Sequence, residues 1–201
     1  MLSPSTAFWY ASRATGVVAI VLLTAVVVLG IVVSRQGRLP GLPRFAGLGL
    51  HRYLSLLAVG FVAVHVLTAI ADSYVSISLA AAVIPFVSAY KPFWLGLGAV
   101  SIDLIAAIIV TSLLRHRIGR RSWRAVHWLA YLSWPVALAH GIGASTDLRG
   151  GPLLGLTITC ALAVLGAAGW RLASAIRALP RARLVPGLMA APDDLLRAGH
   201  R

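Results

Sequence analysis

Residues 125–143 read AVHWLAYLSWPVALAHGIG, an apolar run with His127 near one end and His140 near the other. The run is long enough for most of a membrane crossing. A titratable ring inside such a segment is costly to bury and needs a partner, so each histidine marks a functional position. Residues 51–65, HRYLSLLAVGFVAVH, repeat the arrangement with His51 and His65. Two apolar segments with a histidine at each end set the terms for the rest of the chain.

Composition agrees with a membrane protein. The chain is 59% hydrophobic and 11% charged, with a mean hydropathy of +0.89, and so few charges cannot cover a soluble domain of 201 residues. The net charge of +13 would suit nucleic acid, but the basic residues lie between apolar runs rather than on one soluble face. The sequence therefore predicts no nucleic-acid partner. Cys160 is the single cysteine, which excludes an intrachain disulfide and a cysteine-rich metal site. The first apolar run starts late, lacks a preceding basic region and is too long for a signal core, so no removable signal peptide is expected.

Five spans are predicted: Ala14 to Val33, about Tyr53 to Ala71, Pro92 to Leu114 (interrupted by Asp103), Ala125 to Thr146, and Gly150 to Trp170. Arg35, Arg38, Arg44 and Arg52 lie between spans one and two; Arg115, Arg117, Arg120, Arg121 and Arg124 lie between three and four. Neither connector holds an acid. The positive-inside rule then puts these loops and the C-terminus in the cytoplasm and the N-terminus outside. Ser73 to Tyr90, which is uncharged and contains Pro85, is expected to be a short external re-entrant or interfacial segment, because a sixth span would move five arginines outside. The domain division is a transmembrane helical domain over 1–177 and a proline-containing tail over 178–201, partly disordered by composition.

Depth pairs the histidines. His51 and His127 each begin a segment entering from a basic loop; His65 and His140 follow fourteen and thirteen residues later, about 20 Å along a helix. His51 can face His127 at one depth and His65 can face His140 at the other. Neutral imidazoles approaching from opposite sides are what a six-coordinate haem iron requires, so two stacked bis-histidine haems are the expected cofactors. Fourteen residues fall about 40° short of four helical turns, which keeps His51 and His65 on one face. Thirteen fall about 140° short, so an ideal helix would not align His127 with His140. Pro135 lies between them, and an irregularity is predicted near Trp134 and Pro135. His116 and His200, in a basic loop and the tail, read as ordinary surface histidines.

The chain resembles the ferric reductase-like transmembrane domain superfamily, which includes ferric reductases, NADPH oxidases and the haem-binding membrane subunit of bacterial methionine sulfoxide reductase systems. The resemblance rests on WYASRATG (9–16), LHRYLSLLAVGFVAVH (50–65) and TSLLRHRIGRRSWRAVHWLAYLSWPVALAH (111–140). It implies that the two haems are b-type, and that His51 with His127 ligates an inner haem iron and His65 with His140 an outer one. It further implies one-electron transfer from a cytoplasmic donor to an external acceptor across the plasma membrane. Ferric reductases and NADPH oxidases usually continue into a flavin and nicotinamide domain. About thirty residues follow Trp170, too few for one, and the GLG pieces at 47–49 and 96–98 form no dinucleotide fingerprint. The expectation is thus an oxidoreductase component using a separate donor, a flavoprotein or similar, and an external acceptor protein or small molecule. Two alternatives stand beside it: a single-haem subunit of the methionine sulfoxide reductase type, and a non-redox membrane subunit or transporter whose histidines bind metal or relay protons.

Supporting positions follow. Haem propionates need cations, and Arg52 and Arg124 suit an inner haem and Arg13 an outer one; setting topology or contacting lipid phosphate explains each equally well. Trp134 reads as filling the gap between haems or as ordinary packing. Gly16, Gly30 and Gly60 allow close approach of a porphyrin or a helix. Asp103 reads as a hydrogen-bonded structural residue or part of a proton path, and Cys160 as packing.

Overall fold

The computed structural model describes residues 4–34, 43–73, 75, 77–145 and 147–177; the tail beyond Arg177 and His200 lie outside the described residues. It is all helical, as the composition predicts: α1 (Pro4–Ser34), α2 (Arg44–Ala71), α3 (Leu79–Val83), α4 (Pro92–Leu113), α5 (Arg115–His127), α6 (Ala130–Ala144) and α7 (Gly151–Arg177), with a 3₁₀ turn at Asp147–Arg149. No strand occurs among the described residues. Four helices, α1, α2, α4 and α7, are long and apolar enough to cross a membrane. Their outward faces carry leucines more than half exposed, such as Leu56, Leu67, Leu162 and Leu165, as a lipid-facing surface requires.

The remaining predicted span is not one continuous helix. Arg115–His127 forms α5, which restarts after Gly119, whose φ of 78° a residue with a Cβ rarely adopts. A turn at Trp128 and Leu129 follows, and α6 then runs for 15 residues. Trp128 (φ −64°, ψ −22°) and Leu129 (φ −61°, ψ −18°) have 3₁₀ dihedrals. The amides of Leu129, Tyr131 and Leu132 each bond the carbonyl three residues back. A 3₁₀ helix turns about 20° more per residue than an α-helix, so the tightened turn after His127 adds rotation in the direction that His127 and His140 need. The irregularity therefore lies a turn or more before Pro135, which itself sits inside α6. Proline has no N–H for the carbonyl of Tyr131 and crowds it, which favours distortion on the N-terminal side.

The helices alternate in direction and pack as two pairs. α1 lies along α2, α4 lies along α6, and α7 with part of α6 closes against α1. The α4–α6 approach is tight because the Trp94 ring occupies the space where a Cβ on Gly143 would be. α2, which carries His51 and His65, does not pack extensively against α5, which ends in His127, or against α6, which carries His140. A slot runs between the pairs.

At the arginine-rich end Arg171 of α7 donates to the Tyr131 hydroxyl (2.5 Å) and to Ser34 Oγ (3.4 Å), with its guanidinium 4.7 Å from the Trp128 ring centre. It ties α7 to the 3₁₀ turn and to the end of α1. At the opposite end Arg13 pairs with Asp147 at 2.6 Å, and Lys91 donates to the Ala144 carbonyl at 2.9 Å. The predicted re-entrant stretch does not cross the bundle. It forms the five-residue α3, capped by Ser78 Oγ, and then turns at Phe86 with φ 68°; the Phe86 ring covers Gly96 of α4.

The core behind the slot joins Ile20, Val27 and Ile31 of α1 to Trp134 of α6 and Cys160 of α7. Cys160 is packing, as expected. Trp134 Nε1 donates to Thr24 Oγ1 at 2.9 Å in this buried setting. Thr24→Val leaves that N–H unpaired and is expected to lower stability by about 1 kcal/mol, read from thermal unfolding in detergent. Trp134→Phe in the Thr24→Val background should add only a packing loss, so the two changes should not sum.

Candidate functional site

Each histidine pair meets at one depth. The ring centres of His51 and His127 lie 6.4 Å apart with planes crossed at 68°; those of His65 and His140 lie 6.3 Å apart and cross at 74°. A metal–nitrogen bond is about 2 Å and a ring nitrogen lies roughly 1 Å from its ring centre, so two imidazoles on opposite sides of one metal place their centres about 6 Å apart. Both pairs have that spacing, from helices that otherwise stand apart.

The rings are aimed by their backing. His65 Nδ1 hydrogen-bonds the Ser12 carbonyl at 2.7 Å, and a Cβ on Gly16, four residues on, would lie 2.9 Å from its Cε1 and Nδ1. His140 Nδ1 bonds the Trp94 carbonyl at 2.8 Å, and a Cβ on Gly98, again four residues on, would lie 2.8 Å from the same ring atoms. The pattern is one seat used twice. A glycine lets the ring lie on the helix, and the carbonyl one turn earlier takes its Nδ1–H. That bond fixes the tautomer and leaves Nε2 free to act as a ligand toward the slot.

His51 lies on Gly30, where a Cβ would be 3.3 Å from its Cε1. It faces the Val26 backbone, also four residues before the glycine, without completing a hydrogen bond. His127 has no such seat. Its Nδ1 is buried without a partner, and its ring stacks on Trp123 with centres 5.0 Å apart.

Around His65 and His140 lies a cavity of about 280 Å³, walled by apolar side chains such as Leu23, Val62, Ile102 and Ile105. Trp9, Arg13, Asp72, Tyr90 and Asp147 line its polar rim. Arg13 thus stands at the outer pair, with Asp147 as its partner. Arg52 and Arg124 are exposed beside the first residues of the inner pair. Trp134 packs against α1 and α7 and donates to Thr24, so its contacts in the structure are those of core packing. Gly60 has open space where a Cβ would go, so of the three glycines singled out only Gly16 and Gly30 receive a ring. Asp103 is on the exposed side of α4, and nothing in the structure explains its charge. His116 is exposed, as expected, but lies in the first turn of α5 rather than in a loop.

Sequence reasoning missed Gly98. Gly16 and Gly30 repeat the fourteen-residue spacing of His51 and His65, but Gly98 has Ser112 at that spacing and gives no such signal. The GLG at 96–98 is instead a pair of ring seats, for Phe86 and His140.

Residues 15–138 match the family model described as "Ferric reductase like transmembrane component", more than half of the chain. The chain belongs to this ferric reductase-like family. His51, His65 and His127 fall inside the matched stretch; Ser12, Arg13 and His140 lie just beyond its ends. No curated protein and no solved structure matches the chain. Family membership, together with the four apolar spans, makes this a multi-pass membrane protein of ferric reductase-like type.

Proposed function

We propose that the chain is a dihaem b-type cytochrome that carries electrons across the plasma membrane, from a separate cytoplasmic donor to an external acceptor. The observation carrying this reading is the spacing of the two imidazole pairs, 6.4 and 6.3 Å, in two layers. Among the described residues no three of His, Cys, Asp and Glu come together as a metal site. A bare ion needs more protein ligands than two, whereas an iron held by a porphyrin needs only the axial pair. The donor set therefore favours haem over a bare metal ion, and two complete pairs favour two haems over one.

Haem supplies a reversible one-electron couple. The chain's part is to hold His51 with His127, and His65 with His140, at depths about 20 Å apart, the second pair within an apolar-walled cavity. Arg13 is proposed to meet the outer haem's propionates, and Arg52 and Arg124 those of the inner one. The arginine-rich end faces the cytoplasm on the charge rule, with α6 and the preceding 3₁₀ turn as the fifth crossing. A basic surface there suits docking of an acidic flavoprotein donor, and the acceptor is an external protein or small molecule.

Lipid vesicles loaded with ferricyanide test the reading. With purified protein in the bilayer and an impermeant reductant outside, the trapped ferricyanide is expected to bleach at least tenfold faster than in protein-free vesicles. Equal rates would contradict transmembrane electron transfer.

A further inference from the structure

Three of the four histidines share one kind of backing and the fourth does not. Gly16 and Gly30 stand fourteen residues apart on α1, under His65 and His51. On α4, Gly98 lies under His140, and the residue fourteen further on is Ser112. Fourteen residues return to nearly the same helix face, so Ser112 has the register a fourth seat glycine would have, one layer deeper. Serine brings a Cβ and a hydroxyl to that register in place of a glycine's open face. Ser112 Oγ instead accepts from Trp123 Nε1 at 3.3 Å, and the Trp123 ring stacks on His127 at an interplanar angle of 28°.

We infer that Trp123, held by Ser112, is the positioning residue that sets the ring plane of His127, in place of the glycine that backs each of the other three histidines. The inference rests on the dihaem reading above. A carbonyl seat holds a ring through rigid backbone. A stacked indole holds it through a side chain whose own orientation depends on one hydrogen bond. The His127 ring should therefore turn when that bond is removed, while the outer pair, seated on α1 and α4 backbone, should not respond.

The test is low-temperature paramagnetic resonance of the oxidised full-length protein. The angle between axial imidazole planes controls the splitting of the iron d orbitals, and hence the largest g value of a low-spin ferric haem. The inner signal is assigned from His140→Ala protein, which retains only that haem. Ser112→Ala, which removes the acceptor, and Trp123→Phe, which keeps an aromatic ring but loses the N–H, are each expected to keep two haems per chain. Each should shift or broaden the inner signal and leave the outer one in place. The double variant should shift it no further than either single one, because both remove the same bond. Ser112→Thr keeps the hydroxyl and should keep the parental signal. An inner signal unmoved in both single variants would overturn the inference, as would a Ser112→Thr protein that behaves like Ser112→Ala. A parent protein without haem would instead overturn the underlying dihaem reading.

Discussion

His140→Ala protein is expected to purify with about one haem per chain instead of two, because an outer iron facing only His65 loses half of its axial protein ligation. His65→Ala should give the same result, and the His65/His140 double variant should lose no more haem than either single change. His51→Ala and His127→Ala should each remove the other haem. The pairs meet at 6.4 and 6.3 Å, so the losses should group as His51 with His127 and His65 with His140. Difference spectra taken during redox titration would show which component disappears. Loss of the same haem from His65→Ala and His51→Ala proteins would break the pairing by depth.

The second large effect needs no change to a ligand. A Cβ on Gly98 would come within 2.8 Å of two His140 ring atoms, and one on Gly16 within 2.9 Å of two His65 ring atoms. Both distances are shorter than real Cβ contacts, and each ring is also held by its hydrogen bond to the same helix. Gly98→Val or Gly16→Val should push the imidazole off its seat and lower outer-haem occupancy at least tenfold, as a ligand deletion would. Gly49→Ala and Gly60→Ala provide the comparison, since nothing lies within 4 Å of a Cβ at either position. They should retain both haems and parental spectra. Haem content of the four proteins measured side by side decides the matter.

How far the sequence could be read depends on what kind of interaction each feature uses. The helical class and the histidine pairing were legible, because hydropathy and charge placement fix depth, and depth alone matches His51 to His127 and His65 to His140. The thirteen-residue phase problem was legible too, but not its solution. Proline marks a defect, yet the tightened turn lies earlier, at Trp128 and Leu129, and Arg171 of α7 reaches it through Trp128 and Tyr131, a contact between distant parts of the chain. Trp134 sits midway between its histidines in sequence, but helical rotation carries it toward α1 and α7 and onto Thr24. The seats under His65 and His140 depend on backbone carbonyls of Ser12 and Trp94, which no side-chain pattern reveals. Gly16 alone leaves a trace, standing fourteen residues from Gly30 as His51 stands from His65; Gly98 has no glycine at that spacing.

The central claim is two bis-histidine sites in one chain, and haem stoichiometry of the purified parent protein tests it most directly. Haem extracted as its pyridine complex, measured against amino-acid analysis of the same sample, should give two non-covalent b-type haems per chain, both low spin when oxidised. One haem per chain, or none, would contradict the account.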